Sequence, residues 1–572
     1  MTDAARKSIL IAASISLWCA FCATDLLAVY LTGPYAWDDG AITLAYARTL
    51  AEHGSFALTK VSEIVEGSSS LLLVFLIAGL DRLFHFDFLS IIRASQLLAL
   101  SFLALTLWLV FNGLRKYLPS RSERLLLTCV FGSLPMFTAE VLNGMEMTLA
   151  ALLLAAFYLS FSNRSRAIFV LIPLLLLVRY EMIFYLGFSW AAVWLLQPAE
   201  RRRVTRLALY TLAVFSFFSV FRWCYFHDLL PNTIWAKLNP PYTPPRLSTR
   251  IHSRMAAGLE FLQVAACLLL PLMISFALLQ KRLTRQYFGM GAAIVAAFAA
   301  FSIIGGPNFG YPGRMFLASL PIMVLALERR SAPGQRLTFN VLLVCLLVGH
   351  ALNEKQWFRN LTVVATGAHF QQLLPKSVDA RAERYLSHVE QLAPDMLGIS
   401  PANYRITGLA VDQIRQALGM EKVDLMTPDI GGLGLCCEAI NVIDQGLLTN
   451  ATLARQGYGV LNDYLARVRP DVINTHSIWS QVSGIYSSDF FSRSYQPVVF
   501  DNNLFWVRSD LVARMLDSMS LAAGAIDDRR GLRGVRYAQS DIDRNYLDQR
   551  GTKSIVSFHS AGAVVQSGDH PH

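Results

Sequence analysis

Two adjacent carboxylates, Asp38 and Asp39, open a helical pattern in the stretch 35–70, YAWDDGAITLAYARTLAEHGSFALTKVSEIVEGSSS, which lies between two long apolar segments. A short acid at a helix start accepts the unpaired amides of the first turn, so Asp38 is expected to be the N-cap. Ile42, Ala45, Tyr46, Thr49 and Leu50 recur at three- and four-residue spacing from Gly40 to Glu52, giving one apolar stripe. A helix of that kind is expected to lie along a membrane surface. Two carboxylates held there could deprotonate an acceptor hydroxyl or hold a cation. The plain alternative is a capped surface helix with one solvent-facing acid.

Other polar groups interrupt apolar sequence in the same manner. Glu146 begins the run NGMEMTLAALLLAAF, where the helix dipole favours a carboxylate and simple capping is the competing reading. Arg179 and Glu181 of LLVRYEMIFYL occupy a short turn between two apolar runs and could pair with each other. In FHDLLPNTIWAKLN, Pro231 ends an apolar run, and Asn232, Trp235 and Lys237 follow as an amide, an aromatic plane and a cation. Lys237 could neutralise a lipid-linked phosphate with help from Arg314 and Arg93; anchoring by Trp and snorkelling Lys is the bland account. Gly305, Gly306, Gly310 and Gly313 supply backbone freedom for a loop beside a ligand.

Composition says what must position these groups. Of 572 residues, 54% are hydrophobic and only 16% charged, with a mean hydropathy of +0.42, so most of the chain is expected to dissolve in lipid. The formal charge of +10 sits in short basic runs between apolar segments, which marks membrane topology and not nucleic acid. Apolar segments fall at about 9–31, 68–86, 88–112, 124–140, 146–162, 166–178, 182–197, 205–226, 256–279, 286–304, 314–328 and 337–353. If 68–86 stays on the outer surface, about eleven crossings remain and every basic linker falls inside. That topology puts an uncleaved N-terminus in the cytoplasm, the polar clusters on the outer face and the C-terminal region outside.

The expected fold is therefore an α-helical polytopic membrane protein with a C-terminal extracytoplasmic α/β domain. A catalytic membrane domain covers 1–353, with its first outer loop at 32–87. The α/β domain covers 354–550, where YRITGLAVDQIRQAL, KVDLMTPDIGGLGL, AINVIDQGLL and QPVVFDNNLFWVRSDL alternate strand and helix patterns. Residues 551–572, rich in Ser, Gly and His, read as a disordered tail. Asp429 before the glycine-rich turn lacks both the dinucleotide pattern and a Walker lysine, so a structural turn with sugar contacts is preferred over a nucleotide site. Six of the eight cysteines lie in apolar sequence, and the adjacent pair Cys436 and Cys437 is not expected to form a relaxed disulfide. Motifs for Ser/His/Asp hydrolysis, haem or zinc are absent.

Taken in order, DDGAITLAYARTLAEHGSF with VEGSSSLLLVFL, GMEMTLAALLLA, VRYEMIFYL, HDLLPNTIWAK and GG…GYPGRMFLASLP resemble the polytopic C-type glycosyltransferases (GT-C). The nearest branch is the terminal β-(1→2)-arabinofuranosyltransferases, and the likeness extends into TPDIGGLGL…NVIDQGLL and YLARVRPDVI. The resemblance implies a polyprenyl-phosphate-linked sugar donor and inverting transfer to an envelope glycan, lipid or protein acceptor outside the plasma membrane. It implies an acid of the first outer loop, Asp38 or Asp39, as catalytic base, and Glu146 as an assisting acid. Lys237, Arg314 and Arg93 would meet the donor phosphate, and Glu66, Arg179, Glu181, His227, Asn232 and Trp235 would line the substrate. Mg or Mn is an optional cofactor in this reading, with Asp38, Asp39 and Glu146 as its ligands where one is bound. Pro307, the turn RYEM and Ser68 depart from the family pattern. Two other classes compete: a transporter or flippase of lipid-linked sugars, which should show inverted repeats and helices interrupted at mid-membrane depth, and a non-catalytic envelope scaffold that binds glycan.

Overall fold

A computed structural model describes residues 38–116, 118–132, 134–239, 242, 314–325, 400–475, 477–500, 503–518, 524–525, 546 and 555–558. The expected crossings at 9–31, 256–279, 286–304 and 337–353, the glycines at 305–313 and most of the expected tail at 551–572 lie outside these residues; within that tail, Val556–Phe558 is not disordered but forms a strand. What is described is mostly helical, with a small sheet near the C-terminus. It forms two compact units, one drawn from 38–44, 69–230 and 314–325, the other from 45–68, 231–242 and the residues from 401 onward. The sequence boundary at 353/354 did not foresee that two segments of the first 353 residues join the C-terminal unit.

The first unit is helical. Phe88–Gly113 and the run Pro198–Phe226 are long and apolar enough to cross a membrane by length and composition. Both present apolar side chains outward: Leu97, Leu105 and Trp108 on the first, and Leu209, Phe217, Val220 and Trp223 on the second, are exposed. The other apolar helices are shorter: Leu71–Phe84, Met147–Ser162, Ile168–Val178 and Met182–Leu196. At 14 residues, Leu71–Phe84 is about 21 Å long, and the expected crossings Met147–Ser162, Ile168–Val178 and Met182–Leu196, at 16, 11 and 15 residues, are likewise shorter than a hydrocarbon layer of about 30 Å. The segment expected at 124–140 is not one helix. It divides into Arg121–Gly132 and Pro135–Asn143, because Pro135 has no amide to donate and turns the residue before it away from helical geometry. Inside the unit, Met147–Ser162 packs against Phe88–Gly113, Ile168–Val178 and the 3-10 helix Arg314–Ser319. Edge-to-face rings close the interior, Phe131 on Phe137 at 5.2 Å and Phe157 on Trp190 at 5.4 Å.

The second unit carries a seven-stranded sheet of β1 (Val423–Thr427), β2 (Ile440–Asp444), β3 (Val472–Ile473), β4 (Tyr495–Phe500), β5 (Asn503–Arg508), β6 (Gly524–Ala525) and β7 (Val556–Phe558). Their order is β2-β1-β3-β5-β4-β7-β6. Strands β2, β1 and β3 run parallel, with Val423 opposite Ile440 and Leu425 opposite Val472; β5 then pairs antiparallel with both β3 and β4. The runs VDLMT and INVID are apolar along most of their length because strands of a parallel sheet are buried on both faces.

Strand β2 would be a bare edge, with outward N–H and C=O groups open to a foreign strand. The loop at 54–68 closes it. Thr59 donates its hydroxyl to the Ile440 carbonyl at 2.8 Å, and the Val442 amide donates to Ser62 Oγ at 3.1 Å. Tyr46, on the helix Asp38–His53, donates to Val65 O at 2.8 Å and accepts from the Gly67 amide, which fixes the approach of the loop. The other inserted segment is anchored by Asn239, whose Nδ2 donates to Ala454 O at 2.6 Å. Cys436 and Cys437, against expectation, are joined by a disulfide. The helix Gly431–Cys436 stops between them and Cys437 turns to an extended backbone, which lets the sulfurs meet.

Candidate functional site

The acids expected to do chemistry sit at helix starts of the first unit. The helix Asp38–His53 begins at the carboxylate pair, with Asp38 buried and Asp39 exposed. Its first turn lies against the loop before Glu146, because residue 40 is glycine: a Cβ there would stand 2.2 Å from the Asn143 carbonyl oxygen and 3.5 Å from Met145 Cγ. Gly40→Ala is therefore expected to push the acidic pair off that loop and to cost about 1–3 kcal/mol. Gly79→Ala, in an exposed helix position with nothing near its added Cβ, serves as the control and should be neutral or slightly stabilising. Thermal unfolding of the two purified variants compares them directly; equal midpoints would contradict the contact.

Glu146 is fully buried just ahead of Met147–Ser162. Arg179, closing Ile168–Val178, binds Glu146 through Nη1 and Glu181 through Nη2, and its Nε donates to Glu181 Oε1 at 3.0 Å. Ser69 donates to Glu146 Oε1 at 3.1 Å. Thus the pairing of Arg179 with Glu181 that the sequence suggested is present, and Glu146 belongs to the same network. Three helix ends converge here because each charged residue stands where a helix starts or stops: a fork-shaped guanidinium then meets two carboxylates at once.

Two members of this neighbourhood were not read from the sequence. Glu140, fully buried on Pro135–Asn143, accepts from the Met147 amide at 3.0 Å and so caps the helix that follows Glu146. Arg222, buried toward the C-terminal end of Arg201–Phe226, lies over the ring of Tyr180, the residue after Arg179, at 5.2 Å. Their only sequence signal was a charge inside or beside an apolar run.

The remaining candidates are placed as follows. Arg93 and His227 are exposed, the latter with a left-handed backbone at a helix end. Arg314 opens the 3-10 helix that packs on Met147–Ser162. Glu66, Asn232, Trp235 and Lys237 belong to the second unit. There the Asn232 side-chain amide donates to Leu447 O at 3.0 Å and Leu448 O at 2.8 Å, a hold on the backbone and not an open substrate contact. Glu66 is buried and its carbonyl accepts from the Asn232 amide at 3.2 Å; Trp235 packs on the core beneath the sheet.

For a metal, the ligand atoms of Asp38, Asp39 and Glu146 do not gather within 4.8 Å; among the described residues, the group that does is the exposed trio Glu52, His53 and Glu438. His53 Nε2 is 3.0 Å from Glu438 Oε2, which is a surface ion pair when the ring is protonated.

The second unit holds one strongly perturbed acid. Asp444, fully buried at the end of β2, accepts from the amides of Gly446 at 2.6 Å and Thr449 at 2.8 Å. Burial pushes its carboxyl from 3.8 up to about 7, with the backbone amides pulling the other way. A folded-state value above the unfolded one means the fold binds the proton more tightly. The contribution is complete below about pH 4 and is lost as pH rises through about 7, about 4 kcal/mol over the whole range. Asp444→Asn should flatten that part of the stability curve, as measured by denaturant unfolding between pH 4 and 8; an unchanged slope would reject the shift.

Compared with family models, with curated proteins and with solved structures, the chain matches none.

Proposed function

We propose that this protein is a plasma-membrane glycosyltransferase that moves a sugar, a pentofuranose such as arabinofuranose, from a polyprenyl-phosphate donor to an envelope glycan or glycoprotein on the extracytoplasmic face. The observation that carries the reading is the juxtaposition within one apolar unit of a buried carboxylate at a helix start and the network of Glu146, Arg179 and Glu181 at the ends of three neighbouring helices. The outward apolar faces of the two long helices support a membrane location, since side chains such as Leu97, Trp108, Phe217 and Trp223 would be costly to leave in water. The ordered motif series from DDG to GYPGR supports the donor type.

In this reading Asp38 takes the proton of the acceptor hydroxyl as its oxygen attacks the anomeric carbon from the face opposite the phosphate. The bond to the phosphate oxygen breaks with inversion, and the lipid phosphate leaves with the electron pair. Arg314 and Arg93 supply positive charge for that phosphate. Arg179 fixes the two glutamates and so the turn on which the base rests.

The test is transfer of label from polyprenyl-phosphate sugars, arabinofuranose first, to membrane glycan acceptors by the detergent-purified protein. Transfer supports the reading. Absence of transfer from every lipid donor, together with movement of labelled lipid across reconstituted vesicles, would replace it with the transporter.

A further inference from the structure

The parallel part of the sheet has a point where the chain reverses its direction of growth: β2 lies on one side of β1 and β3 on the other. Loops leaving the carboxyl ends of such strands diverge there, and ligands of open α/β sheets bind in that place. The residues at these ends are polar and almost wholly buried: Thr427 after β1, Gln445 after β2, Asn474 after β3, and Ser480 and Ser483 on the helix Ser477–Ser483. They form one chain of contacts. Asn474 Nδ2 donates to Thr427 Oγ1 at 3.2 Å, the Gln445 amide to Thr427 O at 2.9 Å, Gln445 Nε2 to Ser483 Oγ at 2.7 Å, and Ser483 Oγ to Ser480 O at 3.4 Å.

Among the described residues, Asn474 Oδ1, Gln445 Oε1 and Ser480 Oγ are buried without a hydrogen-bond partner. Turning either carboxamide over only exchanges an unmet oxygen for an unmet NH2 group. Each such group costs about 1–3 kcal/mol unless something polar meets it. Among the described residues the cluster offers amides and hydroxyls and no cation, which suits a neutral, hydroxyl-rich partner and not a phosphate or carboxylate. Beside it stand two half-buried aromatic rings. Tyr242 donates its hydroxyl to Gly446 O at 3.0 Å, and Trp479, next to Ser480 in the chain, meets the Tyr242 ring edge-to-face at 5.9 Å. Carboxamides that read hydroxyls beside a flat ring that covers an apolar face are what sugar recognition requires.

We infer that the carboxyl-terminal edge of β1 and β3, read by Gln445 and Asn474 and flanked by Trp479, binds a neutral sugar residue. That this sugar belongs to the acceptor rests on the transferase reading; the binding itself does not.

The experiment uses the full-length protein in detergent with three neutral oligosaccharides, built of pentofuranose, hexofuranose and hexopyranose units, followed by saturation-transfer NMR and tryptophan fluorescence. At least one should bind the wild type. Trp479→Ala and Asn474→Leu should each weaken it about tenfold, the loss of one ring contact or one hydrogen bond. Trp479→Ala, at a half-buried position, keeps the test valid where Asn474→Leu fails to fold. No binding by the wild type, or binding equal in wild type and Trp479→Ala, overturns the inference and leaves ordered water as what meets the three buried groups. Sugar binding that persists in a protein with no transfer from any lipid donor would overturn the transferase reading and leave this site standing.

Discussion

Arg179→Met is expected to lower the stability of the helical unit by about 3–5 kcal/mol, because it leaves Glu146 fully buried beside a lost counter-charge. Glu181 loses the same guanidinium. The size of the effect comes from removing the positive charge beside buried carboxylates and not from the worth of the ion pairs, and that distinction can be measured. Adding Glu146→Gln to Arg179→Met removes one buried charge, so the double variant should recover a large part of the loss. Arg179→Lys keeps a charge but not the planar fork that reaches both glutamates, and should fall between. SDS-induced unfolding of the purified variants, followed by tryptophan fluorescence, gives the four stabilities. A single Arg179→Met variant within about 1 kcal/mol of wild type would show that these carboxylates are held by something other than Arg179.

Asp38→Asn is expected to lower the rate of sugar transfer by about 100- to 10,000-fold while leaving the unfolding midpoint near that of wild type. Asparagine keeps the size and can still accept a hydrogen bond, so a fall in rate without a fall in stability isolates the missing base. Asp39→Asn, at the exposed neighbour, should change the rate by less than about tenfold. Should Asp39→Asn carry the large loss and Asp38→Asn the small one, the base is the exposed carboxylate and burial of Asp38 serves the fold alone. Full activity in both would remove the first outer loop from the chemistry.

How far the sequence was legible depends on the range of the interaction. The runs VDLMT and INVID read as strands because burial on both faces leaves a nearly continuous apolar run, and the helix beginning at Asp38 was marked by its acids and apolar stripe. The break at Pro135 was equally local, yet an unbroken hydropathy count passed over it; a proline with no amide decides the matter even inside apolar sequence. Pairing of Arg179 with Glu181 was visible at a separation of two residues, whereas the addition of Glu146, 33 residues earlier, was not. Asn232 shows a role that its type and place did not signal. Its type and place suggested a substrate contact, and its amide is committed to two carbonyls more than 200 residues away. Nothing in the composition of 45–68 or 231–242 distinguishes a loop beside a membrane from one that finishes a sheet, because the hydroxyls of Thr59 and Ser62 are ordinary loop residues until β2 arrives.

That closure of β2 has a consequence for how the protein is made. The Thr59 hydroxyl and the Ile440 carbonyl are 381 residues apart, so the loop behind the carboxylate pair leaves the ribosome well before its partner exists. At about 5–20 residues per second the interval is on the order of 20–75 seconds. Throughout it the loop carries polar groups suited to a strand edge and finds none. A chain cut short before residue 440 would therefore possess every acid of the helical unit and lack the strand that the loop at 54–68 is shaped to meet, and synthesis of the C-terminal region becomes the event that times the folding of that loop.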